Sequence, residues 1–161
     1  MNFILTTERL QLRPCSVDDL TFLHTLWMND RIRHFLFDDR TISVEEARSF
    51  IVASLDSFKQ HRYGLWLVHH QDQCIGFAGF LHTEEAPTLI YGTDPDLWGQ
   101  GYATEATRAV LNYGLKTLNL AKVIADVDEP NTASVRVLQK LDMKQVNRAI
   151  VNDRPLLYFT T

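Results

Sequence analysis

A glycine turn that joins a short strand to a helix constrains the fold of this chain more than any other segment. The pattern predicts a strand over residues 88–93, a stop at Asp94-Pro95-Asp96, and a helix over about 101–118 that follows Gly99 and Gly101. Two glycines so close together let the backbone approach a ligand without side-chain obstruction. The helix start adds unpaired N–H groups and the positive end of the helix dipole, which favour phosphate. We therefore interpret the turn as a phosphate-binding loop, with a purely connecting turn as the alternative.

Two common nucleotide-binding patterns fit this turn poorly. No Lys-Ser or Lys-Thr follows the glycines, so the turn is not a Walker-type loop. The dinucleotide fingerprint requires a third glycine where this chain has Thr104, and residues 94–98 separate the glycines from the strand. Asp126 does lie at about the right distance downstream for that fingerprint. A nucleotide-binding enzyme therefore stays open as an alternative.

Hydrophobic periodicity over the rest of the chain predicts an α/β (α+β) fold in one domain spanning residues 1–161. Capping boxes at Ser16 with Asp19 and at Ser43 with Glu46 predict two helix starts, and Asn131 predicts a later one. Alternating apolar residues and turn signals predict further strands over 9–13, 65–69, 74–81, 122–127, 144–151 and 156–160. The order β-α-α-β-β-β-α-β-α-β-β predicts a mixed central sheet of about seven strands flanked by about four helices.

The composition excludes several classes of protein. With 45% hydrophobic and 22% charged residues among 161, the chain is neither disordered nor too short to bury a core. Its formal net charge of −4 argues against direct nucleic-acid binding. Cys15, Cys74 and the His residues show no metal-binding spacing, so we expect no metal. No signal-peptide pattern and no apolar run of roughly 20 residues is present, so we expect a cytoplasmic protein without membrane contact.

Four segments carry a resemblance to a known family. Residues 94–106, which include the glycine turn, closely resemble the acetyl-CoA pyrophosphate loop of the GNAT superfamily. More narrowly, they look like the branch that contains the ribosomal-protein N-terminal (Rim-type) acetyltransferases. Residues 7–14 resemble that branch's opening strand, 75–79 its central hairpin, and 131–138 its Asn-x-x-Ser helix start. The resemblance spans nearly the whole chain.

The chain departs from this branch at a few positions. Trp98 stands where the wider superfamily often has Gln or Arg, although Trp is usual in the branch. Asp142-Met143 replaces a common Gly-Phe, and Asp tolerates the left-handed backbone that glycine adopts there. Thr88 stands where the branch often has Glu. The resemblance therefore assigns no carboxylate as the catalytic base.

The resemblance implies an acetyl-CoA-dependent N-acetyltransferase, an acyltransferase in which a primary amine attacks the thioester directly in a ternary complex. Acetyl-CoA would be the co-substrate, and the acceptor would be a protein N-terminal α-amine or a small-molecule amine. In this family a strand beside the cofactor binds the thioester carbonyl, a glycine loop binds the pyrophosphate, and a helix start holds the cofactor arm. The resemblance therefore implies these cofactor-binding residues: Tyr91, Gly92, Thr93, Gly99, Gln100, Gly101, Tyr102, Ala103, Thr104, Asn131 and Ser134. A non-catalytic acyl-CoA-binding regulatory domain is the alternative.

The reaction requires a neutral amine and a proton for the leaving thiolate. The resemblance places Ser134 beside the sulfur, although a first-turn Ser can instead bond its own backbone, and Asn131 can be a plain N-cap. Candidate bases are Glu84, Glu85, Asp94 and Tyr91, with water as the alternative. The predicted catalytic set is Ser134, Tyr91 and Glu84. Because Thr88 replaces the branch's Glu, we predict that no single carboxylate is essential.

The acceptor groove is expected beside the two N-terminal helices and the closing hairpin. The acidic stretch 126–129 is interpreted as a solvated strand end, although it could attract a cationic amine. We expect a monomer or a homodimer.

Overall fold

The computed structural model describes residues 2–161 and arranges them as one sheet with helices on both faces. Within these residues the strands are β1 (Leu5–Thr6), β2 (Leu10–Pro14), β3 (Leu65–His70), β4 (Gln73–Leu81), β5 (Thr88–Thr93), β6 (Ile124–Asp128), β7 (Lys144–Val151) and β8 (Arg154–Thr160). The α-helices are α1 (Leu20–Met28), α2 (Asp30–Leu36), α3 (Val44–His61), α4 (Tyr102–Asn112) and α5 (Thr132–Lys140).

The sheet has the strand order β1-β2-β3-β4-β5-β6-β8-β7. All neighbouring strands are antiparallel except β5 and β6, which are parallel. The predicted mixed α/β fold is therefore confirmed. One strand more than predicted is present because the chain reverses after Thr6, so that Leu5 pairs with Leu12.

The predicted number of helices before β3 is wrong, because the structure has three where the sequence indicated two. Asn29 leaves the helical conformation at ψ 132° and divides the first helix into α1 and α2. Its side chain accepts a hydrogen bond of 3.0 Å from the Arg31 N–H, as an N-cap residue does. The helix predicted over 101–118 is α-helical only to Asn112 and continues as a π-helical turn at Tyr113–Thr117.

The predicted helix starts are confirmed by their hydrogen bonds. Ser43 Oγ accepts from the Glu46 N–H at 3.0 Å and begins α3. The Asp19 carboxylate accepts from the Ser16 N–H at 2.8 Å, and a short 3-10 turn leads from there into α1. These bonds satisfy N–H groups that have no partner inside the helix.

Two hydrophobic cores lie on opposite faces of the sheet. Successive side chains of a strand alternate between faces, so Trp66 and Val68 of β3 join one core while Leu65 and Leu67 join the other. The first core contains the apolar faces of α4 and α5, and the second contains those of α1 and α2 and the first half of α3. The sheet therefore separates a layer with the glycine turn from a layer with the N-terminal helices.

Within residues 2–161, no helix is both long enough and apolar enough to cross a membrane.

Candidate active site

A gap opens in the middle of the sheet between β5 and β6. The two strands share a single residue pair, Thr88 with Ile124, at their N-terminal ends. Beyond that pair their facing edges hold no ladder, while the outer edge of β5 pairs with β4 and that of β6 pairs with β8. Free strand edges present backbone N–H and C=O groups to a ligand. An extended ligand arm can therefore lie between Tyr91-Gly92-Thr93 and β6.

The glycine turn lies at the open end of this gap, directly after β5. Gly99 and Gly101 have φ values of +84° and +83°, a left-handed conformation that residues with a side chain rarely adopt, so both positions favour glycine. The Trp98 indole donates to the Thr93 carbonyl at 2.8 Å and ties the turn to the strand. Gly101 is the N-cap residue of α4, and no side chain caps this helix. Its first amides are therefore available to an anion.

Arg9 and Glu105 brace this turn, a feature that the sequence reasoning missed. Arg9 Nε lies 2.8 Å from Glu105 Oε1, and Arg9 Nη1 donates to the Gln100 carbonyl at 2.9 Å. The guanidinium also stacks over the Tyr102 ring at 4.5 Å from its centroid. Thr7 Oγ donates to the same carboxylate. Thr7 and Arg9 belong to the opening motif of the chain, but nothing local in that motif indicates a partner 96 residues away.

Desolvation alone would raise the pKa of Glu105. The hydrogen bonds from Thr7 and Arg9 outweigh this effect and hold the pKa below its usual range. The carboxylate therefore stays ionised at neutral pH. Its charge holds the Arg9 guanidinium beside the glycine turn through an ion pair.

Tyr91, Asn131 and Ser134 come together at the gap. The Tyr91 hydroxyl contacts Ser134 Oγ and lies 3.2 Å from the Ser134 carbonyl oxygen, to which it can donate. Asn131 Oδ1 accepts from the Ser134 N–H at 3.3 Å, so the predicted N-cap of α5 is confirmed. Burial raises the pKa of Tyr91 to about 12, because the phenolate would lose its solvent. Tyr91 is therefore a protonated phenol at neutral pH, suited to donate a proton rather than to accept one.

The other candidate bases lie away from this group. Glu84 is exposed in the connection between β4 and β5, and Glu85 in the same connection lies 3.7 Å from Lys122 Nζ. Both precede Thr88, at the closed end of the gap, whereas Tyr91 is three residues farther on, or about 10 Å along the strand. Asp94 Oδ1 accepts from the Asp96 N–H at 3.0 Å and caps a 3-10 turn. The structure thus brings Tyr91 and Ser134 together, whereas Glu84 lies away from both.

Within residues 2–161, no three His, Cys, Asp or Glu side chains converge in a metal-binding arrangement.

Comparisons with known proteins agree with this geometry. The acetyltransferase (GNAT) domain family matches residues 9–144. YkkB of Bacillus subtilis is 48% identical over 149 residues, which cover 86% of this chain and 84% of YkkB. Spermidine N(1)-acetyltransferase of Escherichia coli is 22% identical over 136 residues, 84% of this chain and 73% of that protein.

A solved structure has the same fold. The ribosomal-protein acetyltransferase RimL, in complex with coenzyme A, superimposes with a TM-score of 0.85 at 18% identity and covers 98% of this chain and 97% of RimL. The family match extends over most of the chain, from Arg9 in the brace to Lys144 at the start of β7. This protein therefore belongs to the GNAT family of acetyltransferases.

Proposed function

We propose that this N-acetyltransferase transfers the acetyl group of acetyl-CoA to a primary amine by direct attack in a ternary complex. The observation that carries the proposal is the gap between β5 and β6, which has the Tyr91–Ser134 pair across it and the glycine turn at its open end. The gap can hold both substrates at the point where they react. Such positioning supplies a large part of the rate of a two-substrate reaction.

The residues present fit coenzyme A. The left-handed Gly99 and Gly101 and the uncapped start of α4 suit the pyrophosphate, which Gln100, Tyr102 and Ala103 would bind through amides. Thr104 would add a hydroxyl group. The free edge of β5 at Tyr91, Gly92 and Thr93 would bind the pantetheine arm, and Asn131 would hold it from the start of α5. When bound, acetyl-CoA supplies the activated acyl group.

Tyr91 and Ser134 would manage the proton at the sulfur. The Tyr91 hydroxyl, whose pKa burial raises to about 12, keeps its proton at neutral pH and can donate a hydrogen bond to the Ser134 hydroxyl or to the departing thiolate. Ser134 is held for this role by the Asn131 cap and by Tyr91. The amine proton would leave through water, since neither Glu84 nor Glu85 reaches the gap.

Relatives support two classes of acceptor. The name of the Escherichia coli relative indicates spermidine, a small-molecule amine. The structural neighbour RimL acetylates a ribosomal protein at its α-amine. We therefore propose an acceptor of one of these two kinds.

A thiol-release assay tests this function. The protein is mixed with acetyl-CoA and a panel of small amines and N-terminal peptides, and products are identified by mass spectrometry. We expect thiol release that requires an amine and yields the N-acetylated acceptor. Calorimetric binding of acetyl-CoA without thiol release for any amine in the panel would contradict the proposal and indicate a regulatory acyl-CoA-binding domain.

A further inference from the structure

Asp126 and Asp128 lie on the face of the sheet opposite the glycine turn. Ala125 and Val127 of β6 belong to the core shared with α4 and α5. Because side chains alternate along a strand, Asp126 and Asp128 project to the face covered by the N-terminal helices. They follow Ile124, the last β6 residue paired with β5, by two and four positions. The two carboxylates therefore project beside the gap from the face of β6 that the N-terminal helices cover.

Asp128 is a buried acid without a partner. The residue is only 7% exposed and its carboxylate makes no hydrogen bond or ion pair with any group in residues 2–161, but the carboxylate oxygens keep contact with solvent. An unpaired buried charge is costly, and such groups concentrate at binding sites. Desolvation raises the pKa of Asp128; Arg154 and His34 oppose the shift, while Asp38 and Asp126 add to it. Leu156, which pairs with Asp128, lies two residues from Arg154, and Arg154 forms an ion pair with Asp38 in the connection between α2 and α3.

Two further acids lie at the mouth of the same site. Arg154 forms ion pairs with Asp38 and, at 3.8 Å, with Asp39. His34 Nδ1 lies 2.9 Å from Asp39 Oδ2. When the carboxylates of Asp126, Asp128, Asp38 and Asp39 are all ionised, they outnumber the Arg154 guanidinium by three negative charges if His34 is neutral and by two if it is protonated. This excess is more than a single ammonium group would neutralise.

An apolar surface lies next to these acids. Tyr158 and Leu156 of β8 pair directly with Asp126 and Asp128, and opposite residues of an antiparallel pair share a face. An aromatic ring and a branched aliphatic side chain thus flank the two carboxylates. This combination suits ammonium groups joined by a methylene chain.

We propose that Asp126, Asp128 and Asp38 form the acceptor site and that it binds a linear aliphatic amine with at least two ammonium groups. The rim acids Asp38 and Asp39 hold one ammonium group, and the second amine binds beside Asp128 and loses its proton through water before it attacks the thioester. This inference rests on the proposed function for the reaction but names a site and a substrate class of its own. An N-terminal peptide with a single ammonium group would leave most of the acidic charge unpaired.

Kinetics with matched amines test the site. With saturating acetyl-CoA, we expect kcat/KM for butanediamine and spermidine to exceed that for butylamine by about tenfold or more. This difference in kcat/KM between the polyamines and butylamine should shrink as salt is added, because salt screens the exposed charges of Asp38 and Asp39. Asp128→Asn should raise KM for the diamine about tenfold, change kcat less, and leave the Kd of acetyl-CoA unchanged. Asp56→Asn, which removes an exposed acid from α3, is the control and should match the parent.

Binding to the coenzyme A complex separates this inference from the reaction. Calorimetry should show that spermidine binds the parent and Asp56→Asn complexes and binds Asp128→Asn about tenfold more weakly. This result would support the site even if no amine turned over. The proposed site would be overturned if the two variants bound spermidine equally or if butylamine and butanediamine were used equally. A preference for singly charged N-terminal peptides would also overturn it.

Discussion

Tyr91 and Ser134 are separated by 43 residues in sequence, and their hydroxyl contact exists because β5 and α5 meet at the gap. Each residue alone has an ordinary explanation, a strand tyrosine and a serine in the first turn of a helix. Together they form a partly buried pair in which the phenol is protonated at neutral pH, and desolvation raises its pKa further, to about 12. A pair of this kind can deliver a proton at neutral pH without titrating itself.

We predict that Ser134→Ala lowers kcat by about 10²-fold, the lower end of the range for a positioned proton donor. The Kd of acetyl-CoA should change by no more than about threefold, because the lost interaction acts mainly in the transition state. Tyr91→Phe is the matched variant. Because the two hydroxyls act as a unit, the double variant should lose little more activity than either single one. Steady-state kinetics and calorimetry measure both quantities.

Two results would contradict this pairing. Fully additive losses would show that the hydroxyls act independently. A change in stability alone, near the cost of one lost hydrogen bond of about 1 kcal/mol, would make Ser134 a structural residue.

At the scale of elements, the connection between β5 and α4 performs two tasks. It ends the strand at the gap, and it presents the start of α4 without a side-chain cap. The turn between β1 and β2 supports this connection through Arg9, whose Nη2 would lie 3.3 Å from a Cβ at Gly101. The end of an arginine side chain can move aside, so a small residue at Gly101 is compatible with the fold.

We predict that Gly101→Asn weakens acetyl-CoA binding by about tenfold or more. Asn tolerates the left-handed conformation that φ +83° imposes, so the backbone cost stays small while a side chain enters the anion site. Calorimetry gives the Kd, and urea unfolding checks that the variant is folded. Unchanged affinity for acetyl-CoA in a folded variant would show that the pyrophosphate does not bind at this turn.

At the scale of the whole molecule, β3 and β4 link the two cores. Trp66, Ala78 and Phe80 face one core, while Leu67 and Phe77 face the other. The two layers therefore share the same central strands and stabilise each other across them. Against this stabilisation, Asp128 on the proposed acceptor face is largely buried and has no hydrogen-bond partner, so partial desolvation disfavours its charged form.

We predict that Asp128→Asn unfolds at a higher temperature than the parent at neutral pH. Because burial raises the pKa of Asp128 in the folded state, that state binds the proton more tightly than the unfolded chain does. The destabilisation is absent below the unfolded pKa of roughly 3.9 and complete above the folded pKa, so the variant's advantage should vanish in acid. Thermal unfolding across this pH range measures it, with Asp56→Asn as the control. A variant less stable than the parent at neutral pH would show that Asp128 has a favourable partner.

Local chemistry made much of the fold predictable. The bounds of β5 and β7 agree with the predicted strands 88–93 and 144–151, because apolar alternation and turn residues act over a few neighbours. The caps at Ser43 and Asn131 and the left-handed glycines are equally local, since each depends on the backbone of the next few residues. Helix α2 was missed because its seven residues are too few to show a clear helical repeat of apolar side chains.

Tertiary structure decided the site. The sequence by itself determined most of the elements and the glycine turn before α4, because dihedral preferences and helix caps are short-range properties. It did not determine that β5 and β6 share only one residue pair, that Arg9 reaches Glu105, or which face receives Asp128. Strand register and the pairing of distant side chains depend on how both cores close around the sheet. No periodicity within one segment encodes that arrangement.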